Sequence, residues 1–544
     1  MGPGCSRLPL QARCPLLLAH ATSRNCLRRF FCQRIFTVVK KNVFIYAAIV
    51  MGSLAIALDF ASVDLALPAL ERQFNLDLVS VQWVINGYVL AFAVLMVAGG
   101  KIADAYGRKT IFLIGMGVFA LASLIGGMAW SGASVIGFRV LQGLGAAMLW
   151  PAMIGMACAA VGDAKRGFAL GLIFGTCSLG NAAGPVVGGA LTEWFSWRWV
   201  LWVNVPMALA AMLITIWSVP KDIKHAGPRP RNDYAGMVAL TGGLVALMIV
   251  VYQVQSWGWT DPKILGLSVL AIALLAAFPF IEKRAAEPLI PLDLMRSREF
   301  QTLCVCVMVI CQLFFIVLLY FTQFAMKFMG DDPIAAGLRV VVFMLTYGVV
   351  SYFGGSLTKR FGTRFLLIAG LISAGLASLA LGWVGPGAPW LTFNALLVLL
   401  GIGVGAVIPT VSARAIETAG TEKASLVSGI TFMCQLAGSA FMLALNTAIF
   451  TAVSGLRLKQ LFAREGVTLS GSEEAAVGNV MAGAQNIHQL HLQNHTIAEV
   501  GDLAQIVTES YLHGLQVIMW LSAVLVLVSF VMVLRFVPGR KPVL

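Results

Sequence analysis

Apolar stretches of membrane-spanning length recur from Phe44 almost to the C-terminus and leave no room for a separate soluble domain. A bilayer core is about 30 Å thick, so each helical crossing needs about 20 mostly apolar residues. Fourteen such windows can be drawn, at 44–68, 81–100, 110–130, 134–158, 167–191, 199–219, 234–254, 264–281, 301–325, 334–357, 364–384, 390–412, 425–452 and 514–537. Of 544 residues, 59% are hydrophobic and only 11% charged, which soluble domains do not approach. The expected class is all-α integral membrane.

A formal net charge of +14 could suit nucleic acid, but the charges sit in the short connections between spans. With a cytoplasmic N-terminus, the tails and even-numbered connections hold 29 of the 38 Lys and Arg, counting Arg364 and Arg535 at the span ends that adjoin them. The odd-numbered ones hold 7, and Arg139 and Arg339 lie within spans. That asymmetry satisfies the positive-inside rule. It places both termini in the cytoplasm and supports an even number of crossings. The expected location is a multi-pass cell membrane, the bacterial inner membrane in a prokaryote, with lipid and not nucleic acid as the surroundings.

Residues 1–42 carry eight Lys or Arg and no acidic residue. A basic cytoplasmic tail, an upstream start codon and an organellar transit peptide all fit that composition. The ten cysteines fall in this tail or inside spans with no CxxC pair, so neither a disulfide framework nor a zinc site is indicated.

Gly100-Lys101-Ile102-Ala103-Asp104-Ala105-Tyr106-Gly107-Arg108-Lys109 follows the second span. Gly355-Ser356-Leu357-Thr358-Lys359-Arg360-Phe361-Gly362-Thr363-Arg364 follows the tenth, again with glycines seven apart and a basic cluster. The duplication divides the chain into a basic tail (1–43), a six-helix half (44–220), two inserted helices (221–282), a second six-helix half (283–538) and a short tail (539–544). The second half contains a long extracytoplasmic loop at about 453–513. Parallel halves of this kind place a substrate path at their interface. Within the loop, His488, His491 and His495 would share a helical face, but a solvated polar loop is the simpler reading, so no metal is expected. Asn494-His495-Thr496 is a glycosylation sequon in a eukaryote.

An ionisable group at a helix centre costs at least about 2.5–3.5 kcal/mol on insertion, so the few present are functional candidates. Asp59 and Asp64 lie in the first span and Arg139 in the fourth. Aspartates five residues apart on a helix point about 140° apart, so at most one faces the central path squarely. Asp59 lies deeper and is the expected proton carrier. Asp64, four residues before Pro68, is expected at the rim or facing substrate; pairing with Arg139 is the alternative for either. In the fifth span Gly180, Gly184 and Gly188 share one face, with Pro185 and Gly189 beside them, which allows close helix approach.

Taken in order, these residues resemble the major facilitator superfamily, and within it the fourteen-helix drug:proton antiporter branch. Leu58-Asp59-Phe60-Ala61-Ser62-Val63-Asp64-Leu65-Ala66-Leu67-Pro68 looks like that branch's first-helix motif. Gly100 to Lys109 resembles its loop motif, Arg139-Val140-Leu141-Gln142-Gly143-Leu144-Gly145 its fourth-helix motif, and Gly180 to Gly189 its antiporter motif. Trp197-Arg198-Trp199, Asn204-Val205-Pro206, Asp233-Tyr234-Ala235-Gly236, Glu287-Pro288-Leu289, and Gln323 with Ala336-Gly337-Leu338 extend the resemblance.

The resemblance implies a proton-coupled secondary transporter that exports small molecules by alternating access, most simply a multidrug efflux antiporter. It implies no cofactor beyond the proton gradient, an amphipathic or cationic substrate, and a monomer that could work with a periplasmic adaptor and an outer-membrane channel. Gly100, Asp104, Gly107 and Arg108 would form a conformational latch, and Arg139 would assist proton transfer. A dedicated metabolite, lipid-like or siderophore exporter, or an importer of the same fold, remains as an alternative. No HExxH, GxSxG or GxxxxGK[ST] motif points to an enzyme or an ATP-driven pump. Ala61 and Asp64 stand where the branch commonly has Thr and Asn, and Lys359 occupies in the second loop the place of Asp104 in the first.

Overall fold

The computed structural model describes residues 24–76, 78–161, 166–220, 222, 233–285, 287–329, 333–385, 387–465 and 497–539. Among these are fourteen helices long and apolar enough to cross a membrane. The first half comprises α1 (Val43–Phe74), α2 (Ser80–Tyr106), α3 (Arg108–Gly126), α4 (Gly132–Ala160), α5 (Arg166–Trp194) and α6 (Trp197–Ser218). The inserted pair is α7 (Tyr234–Val254) and α8 (Pro262–Arg284). The second half comprises α9 (Arg298–Met326), α10 (Gly337–Phe361), α11 (Thr363–Leu381), α12 (Trp390–Ala419), α13 (Thr421–Arg464) and α14 (Gln505–Phe536).

Helices begin where the chain supplies a cap. The side chains of Ser196, Asp233, Asp261 and Ser297 accept from the backbone N–H of Arg198, Gly236, Lys263 and Phe300 respectively. The duplicated loop is a backbone device as well as a sequence one. Gly107 between α2 and α3 has φ +111°, and Gly362 between α10 and α11 has φ +88°, a region that L side chains avoid.

The duplication extends into packing. A Cβ on Gly115 of α3 would lie 2.8 Å from the Gly145 carbonyl oxygen of α4. One on Gly370 of α11 would lie 3.1 Å from the Gly403 carbonyl oxygen of α12. Both halves thus seat their third helix on their fourth through paired glycines, as small residues allow in lipid.

The halves meet along two seams. On one, α5 faces α10: a Cβ on Gly175 would lie 3.1 Å from the Gly348 carbonyl oxygen, and Ser178 donates to the Met344 carbonyl. On the other, α2 and α4 face α13, and a Cβ on Gly429 would lie 2.6 Å from the Met96 carbonyl oxygen. The first seam continues to the side of the 100–109 loop, termed here the basic face, where a Cβ on Gly167 would lie 2.9 Å from Gly355 Cα. α7 touches both α2 and α13 and so lies across the second seam. α8 packs on α7 and leaves Leu265, Val269, Ile272 and Phe280 exposed toward the surrounding lipid.

The long loop expected at about 453–513 is shorter than its sequence suggests. Helix continues to Glu465 before it and resumes at Ile497 after it. Hydropathy misses these extensions because they are polar, yet they hold one another. Leu461, Ile506, Val507 and Tyr511 are buried, and Arg457 pairs with Glu509 at 2.5 Å. Helix likewise begins at Arg24, inside the expected N-terminal tail, where no proline or glycine interrupts the chain up to Asn42. His488, His491, His495 and the Asn494 sequon lie outside the described residues.

Candidate functional site

The first span is not one straight helix. It is regular to Ser62, passes through a 3-10 turn at Val63–Ala66 and resumes with Pro68 in its first turn. Asp59 stands on the regular part and Asp64 on the turn, so the two carboxylates meet different surroundings. Asp59 is fully buried, while Asp64 is exposed.

Three donors converge on Asp59. Arg139 Nη1 donates to Oδ2 at 2.6 Å, Gln142 Nε2 to Oδ1 at 2.8 Å and Asn204 Nδ2 to Oδ1 at 2.7 Å. Arg139 also donates from Nη1 to Gln142 Oε1 at 2.6 Å and from Nε to the Val84 carbonyl at 3.1 Å. Its guanidinium lies 4.2 Å from the Tyr88 ring centroid, and Gln142 Nε2 donates further to Ser123 Oγ at 2.8 Å. Asp59 and Arg139 are 0% and 2% exposed, so the pair is a true buried ion pair with its hydrogen bonds supplied by neutral neighbours. α1, α2, α3, α4 and α6 all contribute to it.

The second half builds its counterpart from amides and hydroxyls alone. Gln312 Nε2 donates to Ser522 Oγ at 2.9 Å, and Asn446 Nδ2 donates to Gln312 Oε1 at 3.3 Å. Among the described residues the buried ion pair therefore belongs to the first half, while the second half buries Arg339 of α10 5.2 Å from the Phe393 ring centroid.

Of the expected residues, Asp59 and Arg139 come together and Asp64 stays apart. Gln142 and Asn204, named above only as members of motifs, and Ser123 and Tyr88, which no motif named, complete the centre. Gln142 had a readable signal, since it lies three residues from Arg139 and shares its helix face. Asn204, by contrast, arrives from α6, and no local spacing connects it to Asp59.

Gly180, Gly184 and Gly188 turn toward α1, the helix that carries Asp59. A Cβ on Gly180 would lie 2.7 Å from Ala57 Cβ, one on Gly184 2.9 Å from the Ala61 carbonyl carbon, and one on Gly188 2.8 Å from Ser62 Cα. Gly189 lies off this stripe with nothing within 4 Å, and Pro185 is exposed. Gly184→Ala is expected to cost about 1–3 kcal/mol by overpacking α1 and to lower transport, with Gly189→Ala neutral in both. Thermal melts of the two variants in detergent, paired with transport assays, check this.

The latch residues join the halves at the basic face. Asp104 accepts from Arg108 Nε at 2.8 Å, and from the backbone N–H of Leu426 at 2.9 Å and of Ser425 at 3.4 Å, at the start of the helical part of α13. Arg108 Nη2 donates to the carbonyls of Thr421 at 2.6 Å and Glu422 at 2.9 Å, and its Nη1 to Gly155 of α4 at 3.1 Å. Gly100 is the contact point of the helices themselves, because a Cβ there would lie 2.5 Å from the Ser425 carbonyl oxygen. Gly107 sits against the carboxylate of Asp222, which accepts from Lys109 N–H at 3.1 Å and Thr110 N–H at 2.9 Å and so anchors α3.

Two further motifs acquire roles. Lys101 Nζ donates to the carbonyls of Glu287 and Pro288, both at 2.9 Å, and buried Glu282 accepts from Leu289 N–H at 3.1 Å. The Glu287-Pro288-Leu289 segment is thus clamped through its backbone to α2 and α8. Trp197 Nε1 and Arg198 Nη1 both donate to Gln73 Oε1, at 2.7 and 3.1 Å, fixing the far end of α1.

Between the halves, above the sealed basic face, lies a small cavity of about 70 Å³. Its walls are aromatic and come from both halves. Trp150 of α4 packs 4.4 Å from Phe432 of α13 and 5.9 Å from Phe174 of α5, measured between ring centroids. Phe314, Phe315 and Tyr347 close the other side. Two π-helical turns adjoin that wall, both in the second half, at Val317–Phe321 in α9 and at Cys434–Gly438 in α13. The second carries Gln435, which lines the cavity. Such turns change the direction of side chains and are frequent at functional sites.

Two related six-helix halves, a path between them and a charge centre buried beside that path define a secondary transporter. Residues 49–443 match the profile of the Major Facilitator Superfamily, and the chain belongs to that family. It is 31% identical over 430 residues to the puromycin resistance protein pur8 of Streptomyces alboniger, across 78% of this chain and 85% of that protein. It is 29% identical over 416 residues to the tetracenomycin C resistance and export protein of Streptomyces glaucescens, across 76% of each. The proton:xylose symporter XylE superposes with a TM-score of 0.59 at 11% identity, over 92% of this chain and 96% of that one, a likeness of fold.

Proposed function

We propose that this chain is a proton-coupled antiporter that exports amphipathic small molecules, belonging to the fourteen-helix drug:proton branch of its family. The observation that carries the reading is the placement of Asp59. A single carboxylate is buried on the helix that borders the aromatic cavity, tied to Arg139 and supported by the α5 glycine stripe. The names of the relatives, which are resistance and export proteins, support the direction of transport.

The mechanism follows from two mutually exclusive arrangements. With Asp104 and Arg108 bridging to α13, the basic face is sealed and the cavity communicates with the opposite face. Cargo leaves there and a proton reaches Asp59, weakening its hold on Arg139. α1 is then free to move against α5, the halves rock, and the basic face opens. The proton leaves on that side, the ion pair re-forms and new cargo enters. Asp64, exposed on the 3-10 turn, stands at the outer mouth and not in this cycle. The basic face is cytoplasmic by the positive-inside rule, which puts both termini there and makes the chain a multi-pass cell-membrane protein, of the inner membrane in a bacterium. The energy source is the proton gradient, with no cofactor and no chemical conversion of the cargo. A single copy contains the whole path, and docking to a periplasmic adaptor and outer-membrane channel would add a route without altering the cycle.

Everted membrane vesicles containing the protein test this. After respiration has acidified them, addition of amphipathic aromatic compounds is expected to dissipate the proton gradient, and vesicles lacking the protein are expected to hold it. Uptake of those compounds without proton movement would refute the coupling.

A further inference from the structure

The first helix of each half leaves the α-helical ladder just beyond residues that line the central cavity. α1 tightens into its 3-10 turn at Val63–Ala66 after Phe60, and α9 loosens into its π turn at Val317–Phe321 after Phe314 and Phe315. A long helix bends at such a break, and a side chain that enters the ladder there can fix the bend. The π turn of α9 has one. Tyr511 of α14 donates from its hydroxyl to the Tyr320 carbonyl, inside the turn, at 3.1 Å in a buried contact.

The phenol is held on several sides. Its ring centroid lies 4.6 Å from that of Phe328 and 5.0 Å from that of Phe450, and it stacks on Phe324 at 6.4 Å. Tyr320 is tied in turn to α13, because its own hydroxyl donates to Thr447 Oγ1 at 2.7 Å. α14 comes so near α13 that a Cβ on Gly514 would lie 2.8 Å from Phe450 Cδ2. Packing of this density transmits displacement instead of absorbing it.

Tyr511 also belongs to the polar start of α14, before the apolar window at 514–537. Two residues earlier Glu509 pairs with Arg457 of α13 at 2.5 Å, and Ile506 and Val507 are buried beside it. A shift of this extension against α13 therefore reaches the Tyr320 carbonyl through one continuous helix.

We propose that Tyr511 is a positioning residue for transport: its hydroxyl holds the bend of α9 at the π turn, and through it the extended ends of α13 and α14 stabilise the arrangement sealed at the basic face. The inference adds a control to the path of the export reading and rests on that reading only for the existence of two arrangements. Its test needs neither cargo nor a gradient, so the two can fail separately.

The full chain in phosphatidylcholine nanodiscs would be followed in two ways. Hydrogen–deuterium exchange would read residues 317–325, and pulsed electron resonance would read spin labels on Glu71 and Leu391, both exposed at the outer ends of α1 and α12. Tyr511→Phe keeps the ring and removes one hydrogen bond. It is expected to raise exchange at 317–325 about fivefold, and to enlarge the population with a short label distance by a similar factor. Residues 390–419 of α12 are expected to exchange as in the wild type. Arg457→Glu sets two acidic side chains against each other and is expected to act in the same direction by about threefold, with Glu509→Arg added to it restoring the wild-type pattern. In a Tyr511→Phe background, Arg457→Glu is expected to add nothing at 317–325, because the route it uses is already cut.

Unchanged exchange at 317–325 in Tyr511→Phe overturns the tether, and unchanged label distances overturn its control of the outer face. Additive effects of Tyr511→Phe and Arg457→Glu overturn the route through Tyr511. A rise in exchange that is equal in α9 and α12 overturns the positioning role, since it would mean general loosening of the fold.

Discussion

Asp59→Asn is expected to abolish proton-coupled exchange, lowering it by at least about a hundredfold, while Asp64→Asn keeps most of it. The argument is geometric first. Asp59 is the acceptor on which Arg139, Gln142 and Asn204 converge, whereas Asp64 is exposed on the 3-10 turn. An asparagine at position 59 fits the same space and can still accept from Asn204, but it cannot exchange a proton or neutralise Arg139. Substrate-for-substrate exchange in proteoliposomes without a gradient is expected to survive, because the cavity itself is untouched. Full proton coupling in Asp59→Asn would overturn the assignment of the carrier.

Loss of stability could imitate loss of coupling, and the buried pair provides a control. Removing one partner of a buried ion pair costs about 3–5 kcal/mol because the other charge is left stranded, whereas removing both is often neutral. Asp59→Asn should therefore lower the melting temperature. The double variant Asp59→Asn with Arg139→Gln should recover most of that loss, with neutral groups filling the same space. Coupling should remain absent in both. A double variant that regained coupling together with stability would mean that Asp59 serves the fold alone.

How far the sequence reveals this site depends on the range of the contact. Fourteen apolar windows and the alternation of basic connections carry the architecture, because lipid imposes both residue by residue. The duplicated loop was legible for a similar reason, since the positive φ at Gly107 and Gly362 admits few residues other than glycine. Arg139 and Asp59 stand out as charges inside apolar spans. Ser123 and Tyr88 do not, and Asn204 enters only through the Asn204-Val205-Pro206 motif with no role attached, because a buried amide, hydroxyl or phenol is common in any membrane helix and only the tertiary packing of α6, α3 and α2 brings them to the pair. The π turns at Val317–Phe321 and Cys434–Gly438 leave no mark in hydropathy, which counts residues and not the register of their hydrogen bonds. The helical extensions around Leu461 and Ile506 are hidden because they are polar and are held to each other, as by the Arg457–Glu509 pair, and not by lipid.

The latch gives the second large effect, and its asymmetry gives the prediction its sign. In the first half, Asp104 and Arg108 reach across to α13, with Arg108 donating to Thr421 and Glu422. In the second half, Lys359 replaces the acidic residue and Arg364 Nη2 donates to the Leu534 carbonyl at 2.6 Å, within its own half. Among the described contacts, the charged bridge across the halves comes from the first loop, while the second loop meets the first half through Gly355, packed on Gly167 of α5. Hydrogen bonds to charged groups are worth about 1.5–3 kcal/mol each, so losing one moves a two-state equilibrium by about tenfold or more. Asp104→Asn weakens the contacts to Leu426 and Ser425, and Arg108→Gln removes its charge from both carbonyls, so each is expected to populate a state open at the basic face. Lys359→Gln, altered at the matching place of the second loop, is expected to leave the distribution unchanged. Spin labels on Tyr106 and Glu417, at the basic ends of α2 and α12, would read the opening as a longer distance component in pulsed electron resonance. A population that shifts equally in Lys359→Gln would show that overall basic-face charge, and not the Asp104 bridge to α13, sets the balance.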